Sequence, residues 1–247
     1  QDYTVDTSHD GTVWAVLVNP VGAFTQQPAR TAFLHSIPAS ALIAGGAGEW
    51  AQSYTGTTSM LSAPGSRAYD IVNEDSGFAD SIGSPNGDAG AERELSGVAA
   101  GAPVCVLYDR TSAFAAGGFA AMTQSAGEAG WSIQDCGTDD LDAALDAGRW
   151  DAAIVREAIP QSPAQILARW GTSGKAAAIG ATDPARDELV AQLARTADVY
   201  EGREVLAQIE ASIVRMAVAM PLAVNPRLTI IDKDVSGIAP RTGPIAP

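Results

Sequence analysis

The chain has 247 residues, 46% hydrophobic and 18% charged, which is apolar enough to close a buried core and excludes a disordered chain. Lys and Arg number 15 against 29 Asp and Glu, a formal net charge of −14, and no basic cluster occurs. That argues against nucleic acid or an anionic membrane surface as a partner; no apolar run of about 18 residues predicts a membrane span, and two cysteines without CxxC or Cys/His spacing leave no zinc site.

Thr12 to Val18 is dense in β-branched and aromatic residues and predicts a strand, stopped by Asn19-Pro20. Pro28 to Ser36 predicts a short helix with Pro in its first turn. Ala39 to Ala44 predicts another, broken by Gly45-Gly46-Ala-Gly48. Residues 50–101 are rich in Ser, Thr, Gly, Pro and Asn, with a turn signal at Ser84-Pro-Asn-Gly87. They predict an irregular surface excursion with helical turns near Ala68–Asn73 and Ala91–Leu95.

The next block is regular. Val104 to Tyr108 is a continuous apolar strand, and Ser112 caps a helix that runs to Ala129 before Gly130. Trp131 to Cys136 is a second strand. Thr138 is the expected cap of a helix from Asp139 to Ala147, and Asp151 to Val155 is a third strand. Strand–helix–strand–helix–strand with short links predicts an α/β fold with a mostly parallel sheet flanked by helices. Beyond Pro163 come a helix to Trp170, one from Pro184 to Ala197 capped by Asp183, and one from Arg203 to Val218. Pro221–Val224 and Arg227–Ile231 are two extended segments, and a Pro/Gly-rich tail, 237–247, is expected to be flexible.

With the two cysteine-bearing strands set side by side, Cys105 and Cys136 are offset by roughly 10 Å, at about 3.3 Å rise per residue. A disulfide needs Cα atoms within about 7 Å. The spacing therefore favours two separate thiols, whereas an extracellular compartment would favour a bridge.

Chemistry-bearing motifs are sparse. His9 and His35 are expected to be an ordinary surface or packed pair, with no metal site and no cofactor around them. Gly46-Ala-Gly-Glu-Trp-Ala51 loosely matches a dinucleotide loop, but a helical segment precedes it where the fingerprint requires a strand. Asp139, Asp140, Asp142 and Asp146 share one helix and are expected to form a solvated face. Trp14, Trp131 and Trp150 are expected in the core, and Trp50 and Tyr54 are freer to line a cleft. In open α/β sheets ligands gather at the carboxyl ends of the parallel strands. Here those ends are Asp109-Arg-Thr111, Gly137-Thr138 and Arg156-Glu-Ala-Ile159.

Three stretches carry a resemblance. Trp14-Ala-Val-Leu-Val-Asn19, followed by Pro28-Ala-Arg-Thr-Ala-Phe-Leu-His-Ser-Ile-Pro38, resembles the early motif of family 5 extracellular solute-binding proteins. Val104–Asp109, Gly130–Cys136 and Gly148-Arg-Trp-Asp-Ala-Ala153 are similar to that family's strand series. Met220-Pro-Leu-Ala-Val224 with Lys233-Asp-Val-Ser-Gly237 is similar to its closing stretch. The Phe33-Leu-His-Ser-Ile-Pro38 form looks most like actinobacterial members.

The resemblance implies a periplasmic-binding-protein type II lobe over 1–247, the second of two, whose N-terminal lobe is missing from this chain. It further implies a non-enzymatic extracellular component of an ABC importer, anchored as a cell-surface lipoprotein. Such a protein hands a small solute, most simply a peptide, to an ABC transporter permease. Two departures stand out. Arg156-Glu-Ala-Ile-Pro-Gln-Ser-Pro163 lacks the Asp that holds a peptide's amino group in relatives, and the usual Ile-Asp-Arg is Ile37-Pro38-Ala39. The implied ligand-binding residues are Asp109, Thr138, Arg156 and Glu157 at the cleft, with Asn19 near the hinge. Two alternatives from other classes are a secreted interaction module that kept the fold but not transport, and a carboxylate-dependent hydrolase.

Overall fold

A computed structural model describes residues 3–83, 87–235 and 237. The turn expected at Ser84-Pro-Asn-Gly87 and the tail expected at 237–247 fall, Gly87 and Gly237 apart, outside the described residues. The strands are β1 (Tyr3–Val18), β2 (Thr55–Gly56), β3 (Pro103–Tyr108), β4 (Ser132–Asp135), β5 (Ala152–Ala158) and β6 (Ala219–Asp232). The helices are α1 (Gln27–His35), α2 (Ala39–Ala47), α3 (Tyr69–Asp75), α4 (Ala89–Leu95), α5 (Ala113–Glu128), α6 (Leu141–Asp146), α7 (Pro163–Trp170), α8 (Pro184–Leu193) and α9 (Val199–Met216).

The strands form one sheet in the order β2-β6-β1-β5-β3-β4. β3 is parallel to β4 and β5, while β1 runs antiparallel to both β5 and β6. This is a mixed sheet, parallel where short strands alternate with helices and antiparallel where β1 and β6 join it. Helices cover both faces. Trp14, Val16 and Val18 of β1 point towards α1, α2 and α5, and pack with Phe33, Leu42, Phe114 and Met122. Val13, Ala15 and Leu17 point the other way, towards Ile166, Trp170, Val190, Ile209 and Ile213 of α7, α8 and α9. The period-2 alternation of a strand buried on both sides thus serves two separate cores.

Helix starts follow side-chain capping. Ser112, Ser162, Asp183 and Asp198 each accept a backbone N–H of the first turn of α5, α7, α8 and α9. Asp140, rather than the expected Thr138, caps α6; Thr138 instead belongs to the sheet, in a parallel bridge to Asp109.

Four further expectations are corrected. First, α2 does not break at Gly45-Gly46 but continues to Ala47. A Cβ on Gly45 would lie 2.8 Å from the Gly117 carbonyl oxygen of α5, so the absent side chains let two helices cross at backbone contact. Second, the 50–101 stretch is not all surface, because Thr57 and Ser59–Ala63 are buried. Third, β6 is one strand of 14 residues. Pro221 is tolerated because it sits at a register shift against β1, and because β2 covers the other side of β6 only at Ala223 and Val224.

The fourth correction concerns the cysteines. Cys105 and Cys136 form a disulfide, with Cα atoms 5.5 Å apart. The register pairs Cys105 with Gln134, so Cys136 lies only two residues past its neighbour and on the same face. The chain leaves β4 at Asp135, which brings the sulfurs together. The expected offset of roughly 10 Å is therefore cut to two residues of rise, about 6.6 Å along the strand.

Candidate functional site

The parallel strands end together. Asp109 follows β3, Thr138 follows β4, and Arg156 and Glu157 lie in the last turn of pleat of β5. The amide of Thr138 donates to Tyr108 O at 2.9 Å and that of Arg110 to Thr138 O at 2.9 Å, which holds the two loops edge to edge. Above them opens a cleft of about 460 Å³ lined by Trp14, Asp109, Ser112, Asp139–Asp142, Ile154 and Arg156. A recess of about 300 Å³ shares Leu141, Asp142 and Arg156 with it and continues past Trp150, Glu157, Arg169 and Lys175. A third recess, about 340 Å³, carries on to Asp10, Gly11 and Thr12. They adjoin at the carboxyl end of β5 as one open groove, whose 300 Å³ part runs back along the sheet to Leu17 and Trp150 near the amino end of β5.

Trp14, which lines the cleft, is backed by an aromatic stack. Trp14 stacks on Phe114 with centroids 4.3 Å apart, and Phe114 stacks on Tyr54 at 5.0 Å. The Trp14 indole N–H donates to Asn225 Oδ1 at 3.0 Å, and Asn225 Nδ2 donates to Asp10 Oδ2 at 2.7 Å. Asp10 in turn accepts from the amide and hydroxyl of Thr12. This chain of bonds fixes the indole plane beneath Arg156, whose guanidinium carbon lies 5.9 Å from the ring centroid. Burial pushes the Tyr54 hydroxyl up from its ordinary value, so it stays a neutral donor.

The predicted residues are not equivalent. Asp109 turns back on its own loop: it accepts from the Thr111 hydroxyl and amide, and these bonds hold its carboxyl below the usual range. The Thr138 hydroxyl accepts from the Asp140 amide. Glu157 is engaged by Arg169 through two bonds of 2.9 and 3.0 Å. Asp109, Thr138, Arg156 and Glu157 are thus brought to one end of the sheet. Asn19 is not. It follows the last residue of β1, where Val18 pairs with Ala152 at the start of β5, at the opposite end of the sheet from those four residues. Its side chain is buried and donates to Trp150 O at 2.9 Å, closing the β5 entry loop.

Trp14, Trp131 and Trp150 are buried, whereas neither Trp50, which is exposed, nor Tyr54 lines any of the three recesses. His35 is packed, with its ring nitrogens 2.5 Å from Glu92 Oε2 and 2.7 Å from Ser81 O, tying α1 to the α4 segment. Among the described residues no group of three His, Cys, Asp or Glu side chains could hold a metal ion, and no helix is long and apolar enough to cross a membrane.

Beside the groove, the extended segment expected at Arg227–Ile231 has a partner that the sequence did not mark. Thr12 pairs with Ala158 at the carboxyl end of β5, so the first half of β1 projects past the groove. Tyr3 to His9 pairs there with Pro226 to Asp232 of β6 as a two-stranded ribbon. Val5 lies opposite Ile230 and Thr7 opposite Leu228, so Tyr3, Val5, Leu228 and Ile230 share one face. That face is open to solvent, with Val5 63% and Ile230 68% exposed.

No protein-family model and no curated protein matches the sequence at a significant level. Solved structures do match the fold. AppA from Clostridium difficile, assigned as a peptide-binding protein, superposes with a TM-score of 0.81 at 14% identity, over 96% of this chain and 49% of its own. The ABC transporter substrate-binding protein CtaP from Listeria monocytogenes gives 0.75 at 16%, over 94% and 47%. A dipeptide-binding protein from a Pseudoalteromonas species, in complex with Met-Leu, gives 0.73 at 15%, over 100% and 49%. The chain spans about half the length of each. It has the α/β fold, a mixed sheet flanked by helices, of about half of an ABC-type solute-binding protein.

Proposed function

We propose that this chain is the second lobe of an extracellular two-lobed solute-binding protein, one that delivers a peptide to an ABC importer's permease. The observation that carries this reading is the open groove at the strand ends with the ribbon projecting beside it. A groove walled on one side can orient a solute but cannot exclude water from it, and closure by a second lobe supplies that exclusion. The ribbon serves as the inter-lobe hinge, a role the sequence had suggested for the region of Asn19. Its apolar face (Tyr3, Val5, Leu228, Ile230) packs against the companion lobe. A cell-surface anchor belongs to the same reading and suits the disulfide.

The groove favours holding over cutting. Asp109 is held below the ordinary carboxylate range, and Glu157 is occupied by Arg169. Glu210, whose carboxyl burial pushes upward, is not among the residues lining the groove. Acid–base hydrolysis needs a converging pair with values driven apart.

The test is a titration of the chain with mixed di- to pentapeptides, followed by amide NMR shifts and by mass spectrometry of the peptides. The expected result is weak binding, on the order of millimolar because half the cleft is absent. Shifts should cluster at Asp109–Thr111, Gly137–Asp140 and Arg156–Ala158, and the peptides should be recovered intact. Cleaved peptides, or shifts confined to other surfaces, would overturn the reading.

A further inference from the structure

Arg156 stands on the divide between the cleft and the adjoining recess and lines both. Two neighbouring arginines are neutralised: Arg110 by Asp135 at 3.1 Å and Arg169 by Glu157 at 2.9 Å. Among the described residues Arg156 makes no hydrogen bond and no ion pair; its exposed guanidinium lies 5.9 Å from the Trp14 ring centroid, within cation–π range, and its charge also reaches Tyr54. That ring is immobilised from beneath by Phe114 and at its edge by Asn225. A guanidinium resting on a fixed indole keeps its planar fork of donors available. The group that matches such a fork is a carboxylate, bound through two parallel N–H···O bonds.

The surroundings narrow the choice. Asp139, Asp140 and Asp142 line the same cleft. They repel a ligand of multiple negative charge and favour one that brings a positive group along with its carboxylate. We propose that Arg156, seated on Trp14, is the specificity-determining subsite for a single free carboxylate of a zwitterionic solute. For a peptide, that group is its C-terminus. The proposal rests on the solute-binding reading above and adds to it the chemical group that is recognised and the residue that recognises it.

The test uses the intact chain, titrated with the tripeptide Ala-Ala-Phe and with its C-terminal amide. Binding is followed at the Trp14 indole N–H and the Arg156 Nε signals, assigned with Trp14→Phe and Arg156→Gln. The free acid should bind roughly tenfold to hundredfold more tightly than the amide, the range of a charge-assisted hydrogen-bond pair. In Arg156→Gln that preference should vanish. Arg156→Lys should keep only part of it, because a point charge replaces the fork. Equal affinities for acid and amide in the native chain, or a preference that survives in Arg156→Gln, would overturn the subsite while leaving solute binding intact. No shift from either peptide up to tens of millimolar would remove the solute-binding reading and this subsite with it.

Discussion

Among single residues, Glu210 carries the sharpest consequence. Its carboxylate is buried beneath the 57–63 segment and accepts from the Ser59 hydroxyl at 2.6 Å, the Met60 amide at 2.9 Å and the Leu61 amide at 3.0 Å. One side chain of α9 thereby satisfies a loop that would otherwise bury bare backbone donors. Burial is the larger influence and pushes its carboxyl above the ordinary value, against the pull of these bonds. A group that holds its proton more tightly when folded contributes stability that is full below the unfolded value, about 4.3 for Glu. That contribution is lost as pH rises through the folded value. The stability difference between the native chain and Glu210→Gln should therefore shift against the native chain as pH rises above that point. Denaturant midpoints measured from pH 4 upward (~pH 4 to 8) check this; a difference independent of pH would refute it. Glu210→Ala, which leaves the amides bare, should cost about 2–3 kcal/mol.

The buried arginines follow the same logic. Arg30 donates to Phe24 O, Thr25 O and, at the end of α9, Met216 O. Arg186 donates to Trp170 O, Ala181 O and the Ser212 hydroxyl. Each fork satisfies carbonyls at a helix end or loop that have no partner within the helix. The bonds to Met216, Trp170 and Ser212 have no local signature, because they join residues 16 to 186 positions apart, whereas those to Phe24, Thr25 and Ala181 span only five or six.

Between elements, the crossing of α2 and α5 is decided by glycine. A Cβ on Gly117 would press inside van der Waals contact of the Gly45 carbonyl oxygen, which is backbone and cannot rotate away. Gly127, near the end of the same helix, has nothing within 4 Å of its would-be Cβ. Gly117→Ala should destabilise by about 3 kcal/mol through overpacking. Gly127→Ala should stabilise by about 0.5–1 kcal/mol through lost chain entropy. Thermal or chemical denaturation of the two variants should move in opposite directions. A sequence scan treats both glycines, and Gly45-Gly46, as helix weaknesses, because close packing against a second helix has no local signature. The parallel strands and the caps at Ser112 and Asp183 were legible, since apolar runs and capping side chains act within a few residues.

Across the whole molecule, the sheet divides into a part sandwiched between helices and a ribbon that is not. Val13–Val18 and Ala219–Val224 are buried on both sides, whereas Tyr3–Thr7 and Leu228–Asp232 reach into solvent. Strands bonded only to each other and covered by nothing are marginal. Hydrogen exchange of the chain should therefore release the amides of 3–7 and 228–232 first, well before those of 13–18 and 219–224. Uniform protection along β1 would contradict the division. The sequence marked Arg227–Ile231 as extended but not its partner Tyr3–His9, whose mostly polar residues carry no dense hydrophobic run.

The amino-acid order alone determined the α/β class, the parallel block and the sheet end where Asp109, Thr138, Arg156 and Glu157 meet. Each of these follows from short-range periodicity and from a topological rule about strand ends. Only the tertiary structure decided that Cys105 bonds to Cys136, that Asn19 lies at the far end of the sheet, and that Glu157 is already paired while Arg156 is not. Register, pairing and burial are set by contacts between residues distant in sequence, and those exist only once the sheet has closed.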